Sequence, residues 1–221
     1  MQGWGGFIAA FIVFFLSHGL PVRPPVKPWL VARIGARGFT WLYSALSLAV
    51  LTWLIVAAGR APFIALWSGP EALRHIALTV MLGVCLILAF TLGRPNPFSF
   101  GGLHNDRFDP AQPGIVRLSR HPLLLALALW GGAHLLVNGD LAHVILFGAF
   151  AAFAGFGGRM ITRRKRREMG EAYDRLWSAT RAAPLHLSPI PGTGLRLAVA
   201  LLLYAALIML HGPVIGISPL R

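Results

Sequence analysis

Six long stretches of this chain contain no Asp, Glu, Lys or Arg: Gly3–Leu20, Gly38–Ala58, His75–Leu92, Leu123–Leu136, Leu141–Gly157 and Leu197–Leu210. That constrains the fold more than any other feature. Backbone N–H and C=O groups in hydrocarbon must be satisfied within the segment, and an α-helix does this. The composition agrees, with 56% hydrophobic and only 12% charged residues, where a soluble domain carries about 25% charged. The pattern predicts an all-α, polytopic membrane helical bundle of six transmembrane spans, folded as a single domain over residues 1–221. Spans four and five are joined only by Val137-Asn138-Gly139-Asp140. Asn-Gly-Asp is turn chemistry, so these two spans read as a tight helical hairpin. Met1–Leu16 lacks a basic start and a small-residue cleavage site, so it reads as a retained first span and not a signal peptide.

The basic residues are segregated. All of the 20 Lys and Arg except Arg60, Arg74 and Arg221 fall between spans one and two, three and four, or five and six. The positive-inside rule then places both termini outside and the three basic loops in the cytoplasm of a bacterial inner membrane. The formal charge of +13 belongs to those loops. The run Arg163-Arg164-Lys165-Arg166-Arg167 follows span five directly, which sets nucleic acid aside and makes membrane lipid the expected partner. The next stretch, Glu168–Trp177, carries Met169, Tyr173, Leu176 and Trp177 on roughly one side and reads as a helix on the cytoplasmic surface. Gly148/Ala152 and Ala151/Gly155 are small pairs that suit close helix packing in lipid. The lone Cys85 excludes an intrachain disulfide.

Histidines are the polar residues that stand out at the span ends. His18 shares a helical face with Phe7, Phe11, Phe14 and Phe15, an aromatic wall that suits either a flat apolar cofactor or lipid. Arg120-His121 precedes Pro122, a residue favoured at the first helical position, so both sit where span four enters from the cytoplasm. Arg120 can grip a carboxylate or phosphate, whether of a lipid headgroup, a haem propionate or a soluble cofactor. His134 follows Gly131 and Gly132, which clear space for a flat ligand or a neighbouring helix, and Asn138 one turn on can orient its imidazole. His75, His143 and His211 read as interfacial. His104 and His186 lie in loops and have no assigned role. No two histidines have zinc spacing.

The block His121-Pro122 … Leu129-Trp130 … His134-Leu135-Leu136-Val137-Asn138-Gly139-Asp140 … Leu146-Phe147-Gly148 resembles the NnrU family, membrane proteins named from denitrification gene clusters. Ser17-His18, the His75 region and Thr180–Pro184 are also similar, so the resemblance spans about Phe7 to Pro191. It implies kinship with 15-cis-zeta-carotene isomerase, a membrane enzyme that uses haem b. The axial ligands of that enzyme fall on His18 and His134, while Gly131 stands where it has a switching cysteine. The resemblance thus implies a haem b protein of nitrogen-oxide metabolism, or an isomerase of an apolar polyene, with His18 and His134 as metal ligands. His18, His121, His134 and Arg120 are the candidate cofactor-binding residues. Span four is about 21 Å long at 1.5 Å per residue, so His18 and His121 are better matched in depth than His18 and His134. All three remain candidates, with His18 first.

Arg120-His121-Pro122, Gly170-Glu171-Ala172-Tyr173 and Pro184 are similar, more distantly, to membrane methyltransferases of the isoprenylcysteine carboxyl methyltransferase type. That likeness implies S-adenosylmethionine bound by Arg120, His121 and Tyr173, although Leu124 and Ala126 replace that family's Tyr and Gly. A non-enzymatic assembly factor for a partner membrane complex is the third reading.

Overall fold

The computed structural model describes residues 3–184 and 192–220. Met1, His186, Pro191 and Arg221 lie outside the described residues. Among the described residues the chain is all-helical: α1 Trp4–Gly19, α2 Val26–Gly59, α3 Ala72–Thr91, α4 Pro122–Val137, α5 Leu141–Met169, α6 Glu171–Ala182 and α7 Thr193–Ile215, with two short 3-10 turns at Asn105–Arg107 and Gly114–Arg117. Every apolar stretch of the sequence falls on one of these helices. Four of them, α2, α3, α5 and α7, are long and apolar enough to cross a membrane. Helices α1 and α4 are apolar but have 16 residues each, short of the roughly 20 of a full crossing. Large apolar side chains face outward: Trp41, Phe63 and Met209 are 78%, 79% and 76% exposed. An apolar exterior of this extent suits lipid and not water.

The chain divides into two compact units. The first comprises residues 1–67 and 139–146. Here α1 and α2 lie against each other, and the Tyr43 hydroxyl donates to the His18 carbonyl at 3.4 Å. The basic residues after α1, expected in a loop, are largely helical. Helix α2 begins at Val26 and breaks only at Gly35, whose φ of 73° and ψ of 162° lie outside the helical region. Glycine tolerates that conformation at little cost. The Asn-Gly-Asp turn has a distinct physical cause in this unit. The Gly139 carbonyl accepts from the Leu66 and Trp67 N–H groups at 2.7 and 3.2 Å, and any Cβ on Gly139 would collide with the Trp67 carbonyl. Asp140 then starts α5: its carboxylate accepts from the His143 backbone N–H at 3.3 Å and contacts His143 Nδ1 at 2.6 Å.

The second unit comprises residues 68–138 and 147–221. Helix α3 contacts both α4 and α7. Cys85, Ala89 and Ala200 are buried together, with Leu86, Phe90, Leu203 and Tyr204 around them. Arg196 of α7 donates to the carbonyls of Ala89 and Leu92 at 2.5 and 3.0 Å, satisfying the orphan acceptors at the end of α3. Helix α5 continues through the arginine run to Met169 and stops at Gly170, where φ is 58°. The charges there sit on a helix and not in a loop, with Arg164 and Lys165 paired to Glu168. The amphipathic stretch expected after it forms α6. Its apolar side meets the protein itself: Phe98, Val116 and Tyr173 form a buried cluster flanked by Phe108, Met169, Leu176 and Trp177.

Candidate functional site

The best-developed polar site lies in the second unit, where α4 begins. Pro122 is the first helical residue and His121 its N-cap, with φ of −123°. The missing N–H of proline costs nothing at that position. Both ring nitrogens of His121 are engaged: Nδ1 lies 3.0 Å from the Ser99 hydroxyl and Nε2 lies 2.8 Å from the Thr162 hydroxyl. One contact is a donation and the other an acceptance in the neutral ring. Burial holds His121 below its ordinary pKa of 6.5, Arg120 pushes it the same way, and the Gly158 backbone opposes. His121 is thus a neutral strut joining the start of α4 to α5 and to the loop before it.

Arg120 is held from three sides. Its guanidinium donates to the Tyr173 hydroxyl at 3.3 Å and sits over the Trp177 ring at 4.6 Å. Its carbonyl accepts from Asn96 Nδ2 at 3.1 Å. Asn96 is itself buried and accepts at Oδ1 from the Phe98 N–H at 3.1 Å. Its own N–H donates to Asn105 Oδ1 at 2.8 Å. The loop therefore delivers Arg120 through a chain of satisfied polar groups, which low surrounding polarity strengthens.

Beside this strut is a cleft of about 540 Å³. Arg120, Arg159, Arg163 and Arg166 line it, with His121 and Thr162, and no carboxylate does. Arg166 is matched by Asp174 at 2.8 and 3.2 Å. Its apolar wall comes from Leu124, Leu125 and Ala128 of α4 and Ala154 and Gly155 of α5. Helices α4 and α5 approach closely here and above. A Cβ on Gly158 would lie 3.2 Å from His121 Cδ2, and one on Gly131 would lie 3.0 Å from the Phe147 carbonyl oxygen.

Within the second unit the candidate residues do not form one site. His121 and Arg120 share the cleft with Thr162, and Tyr173 lies within hydrogen-bond reach of Arg120. His134 stands thirteen residues along α4 from His121, about 20 Å at 1.5 Å per residue. Arg120 is therefore not placed to neutralise a propionate of a macrocycle held at His134. His121, with both nitrogens occupied, has no lone pair to offer a metal as it stands. His18 belongs to the first unit and the other three to the second.

His134 and His18 share one local geometry. His134 Nδ1 lies 2.9 Å from the Trp130 carbonyl, and His18 Nδ1 lies 2.8 Å from the Phe14 carbonyl. A carbonyl accepts only, so each Nδ1 carries the proton and Nε2 of the neutral ring holds the lone pair. Phe14 stacks on His18 with centroids 4.1 Å apart, which bears out the shared face read from the sequence. His134 sits among Trp130 at 5.0 Å and Phe147 at 4.8 Å. Asn138 does not orient the imidazole: its side chain donates to the His134 backbone carbonyl at 2.8 Å. Of the two glycines before His134, Gly131 is filled by α5, whereas nothing lies within 4 Å of a Cβ on Gly132.

Sequence reading missed His211. Its ring faces that of His134 with centroids 6.4 Å apart and planes at 26°. Its Nδ1 contacts the Ile217 carbonyl at 2.6 Å. A histidine at a helix end carries no signal of this kind, because the partner is distant in sequence. Ser99, Thr162 and Asn96 were also invisible, since isolated hydroxyls and amides follow no period.

No curated protein and no solved structure matches the chain. A family model described as NnrU protein matches residues 6–219, nearly the whole length. With the His-Pro to Asn-Gly-Asp block carried on α4, the turn and α5, the chain belongs to the NnrU family.

Proposed function

We propose that this protein is a multi-pass protein of the bacterial inner membrane, with six crossings and both termini outside. In this reading it binds haem b through imidazole and serves nitrogen-oxide metabolism or the cis–trans isomerisation of an apolar polyene. One observation carries the haem reading: the facing rings of His134 and His211, 6.4 Å apart, each with Nδ1 against a backbone carbonyl. The carbonyl contacts set the tautomer and orient each ring, as outer-shell partners of metal-bound histidine do.

The donor set suits haem iron: imidazoles whose Nδ1 lies against a backbone carbonyl, with Trp130 and Phe147 beside His134. His211 is the second imidazole within the unit, and His18, in the first unit, has the same Nδ1 contact to a carbonyl and stays a candidate ligand. When bound, haem supplies the redox and ligand-exchange chemistry. The protein's part is to orient the two rings and exclude water with aromatic side chains.

The test is spectroscopic. The full chain is purified in detergent after haem-replete expression, and oxidised and reduced spectra are recorded. A low-spin spectrum that His134→Ala abolishes and His121→Ala leaves intact supports the reading. Conversion to high spin by His211→Ala assigns the second ligand within the unit, and conversion by His18→Ala instead assigns the first-helix histidine. No Soret band in any preparation sinks the haem reading.

A further inference from the structure

The arginine-lined cleft between the start of α4 and α5 is not used by the haem reading. We propose that it holds the phosphate of an anionic phospholipid, with an acyl chain lying along α4 and α5. Charge comes first. Four arginines line the cleft and no carboxylate does, and only Arg166 among them has an ion-pair partner among the described residues. Arg120 meets a phenol and an indole ring, neither of which cancels its charge. Arg159 leans on Phe156 at 5.8 Å. Like charges gathered this way repel, and an anion among them relieves the repulsion. Guanidinium forks suit phosphate oxygens geometrically. His121, whose pKa burial and Arg120 both push down, is fixed by its two hydroxyl contacts and shapes the cleft.

The shape selects among anions. Beyond the arginines the wall turns apolar, through Leu124, Leu125 and Ala128 on one helix and Ala154 on the other. A free phosphate would leave that part bare, whereas a ligand with a charged head and an apolar tail covers both. Gly155 keeps the apolar end open, since a Cβ there meets nothing within 4 Å. Position agrees as well. Arg159 and Arg163 sit where α5 passes from its apolar half into its basic half, the depth of a headgroup in a bilayer-crossing helix. S-adenosylmethionine has one carboxylate for an arginine to grip, but its sulfonium and ammonium leave it net cationic, the wrong sign for a cleft lined by four arginines.

Native mass spectrometry of the full chain in detergent tests this, with dioleoylphosphatidylglycerol, dioleoylphosphatidylcholine and inorganic phosphate as separate probes. Phosphatidylglycerol is expected to bind tightest. Each basic residue near an anionic lipid contributes about 1 kcal/mol, about fivefold in affinity, so the double variant Arg159→Ala/Arg163→Ala should lose about 25-fold. Arg164→Ala, whose side chain pairs with Glu168, should lose less than about twofold. Gly155→Leu leaves every charge in place and fills the apolar end. It should weaken phosphatidylglycerol at least tenfold. A melting scan confirms that each variant is folded, and the arginine variants decide the matter should Gly155→Leu not fold. Equal binding of phosphatidylcholine, phosphate competing as well as the lipid, S-adenosylmethionine binding lost in the double variant, or an Arg164→Ala effect equal to that of Arg163→Ala would each overturn the proposal. Haem spectra should be unchanged in these variants, so this proposal and the haem reading fail separately.

Discussion

Gly131 and Gly132 are adjacent, equally small and both helical, yet they should respond oppositely to the same methyl group. On Gly131 a Cβ would stand 3.0 Å from the Phe147 carbonyl oxygen and 3.2 Å from the Ala151 backbone nitrogen. Both are backbone atoms of α5 and cannot swing aside. Comfortable heavy-atom contact is about 3.5–4.0 Å, so α4 and α5 must separate by about half an ångström. Overpacking of this kind costs about 1–3 kcal/mol, against a gain of about 1 kcal/mol for alanine over glycine in a helix. On Gly132 nothing lies within 4 Å, leaving only the gain. Gly131→Ala should therefore be less stable than Gly132→Ala by about 1–3 kcal/mol. At about 2–4 °C per kcal/mol for a chain of this length, the two melting temperatures in detergent should differ by about 2–12 °C. Gly131→Cys should fall lower still, because its sulfur adds bulk against α5. If Gly131→Ala melts at or above Gly132→Ala, the close approach of α4 to α5 at this point is wrong.

Four further outcomes follow from the polar contacts. Because folding lowers the pKa of His121, protonation costs the folded state more than the unfolded one. Stability is then full above pH 6.5 and declines as pH falls below it; melting at pH 7.5 and 5.5 should show that drop shrinking in His121→Asn. Tyr173→Phe removes the 3.3 Å contact to Arg120 while keeping the buried ring. It should cost about 1–2 kcal/mol, against about 3–5 kcal/mol for Tyr173→Ala, measured by thermal unfolding; equal costs would mean the hydroxyl contact is the whole effect. Arg196→Ala leaves the Ala89 and Leu92 carbonyls without their donor and should cost about 1–3 kcal/mol. Faster amide exchange confined to the last turn of α3 would localise the loss. Asp140→Ala removes the acceptor at the start of α5 and should cost about 1 kcal/mol, with Asp140→Asn recovering most of it in the same melting assay.

The helices were legible because hydrocarbon-compatible sequence has one economical backbone solution, and every apolar stretch landed on a helix. Their ends were less so. Span five was read to stop at Gly157, where composition turns basic, yet α5 runs on to Met169. Charge changes the surroundings a helix can occupy but does not interrupt its hydrogen bonds; Gly170, with positive φ, does. The same confusion of polarity with backbone placed Lys27 and Arg33 in a loop, when only Gly35 breaks α2. Arg120 and His121 were singled out correctly as the start of α4, since Pro at the first helical position is a local signal. What His121 does was not legible. Its partners, Ser99 and Thr162, lie 22 and 41 residues away in segments with no shared pattern.

Helix α4 separates two kinds of chemistry by its length. At its start, an uncharged imidazole with both nitrogens spent on hydroxyls stands among guanidinium groups. About 20 Å on, an imidazole with one nitrogen tied to its own helix faces a second imidazole. A histidine can be a strut or a ligand, and the difference lies in what the second nitrogen touches. Ser99 and Thr162 occupy His121 from both sides, so it contributes shape. The Trp130 and Ile217 carbonyls each lie against Nδ1 of His134 and His211, which sets the tautomer of those rings. Changing Thr162 to Val ought then to release a lone pair or an N–H at His121 without creating a second metal site, because no other imidazole is in contact with it among the described residues. Oxidised and reduced spectra of that variant in haem-loaded protein, compared with His134→Ala, separate the two roles: the low-spin signal should vanish with His134 and stay unchanged with Thr162.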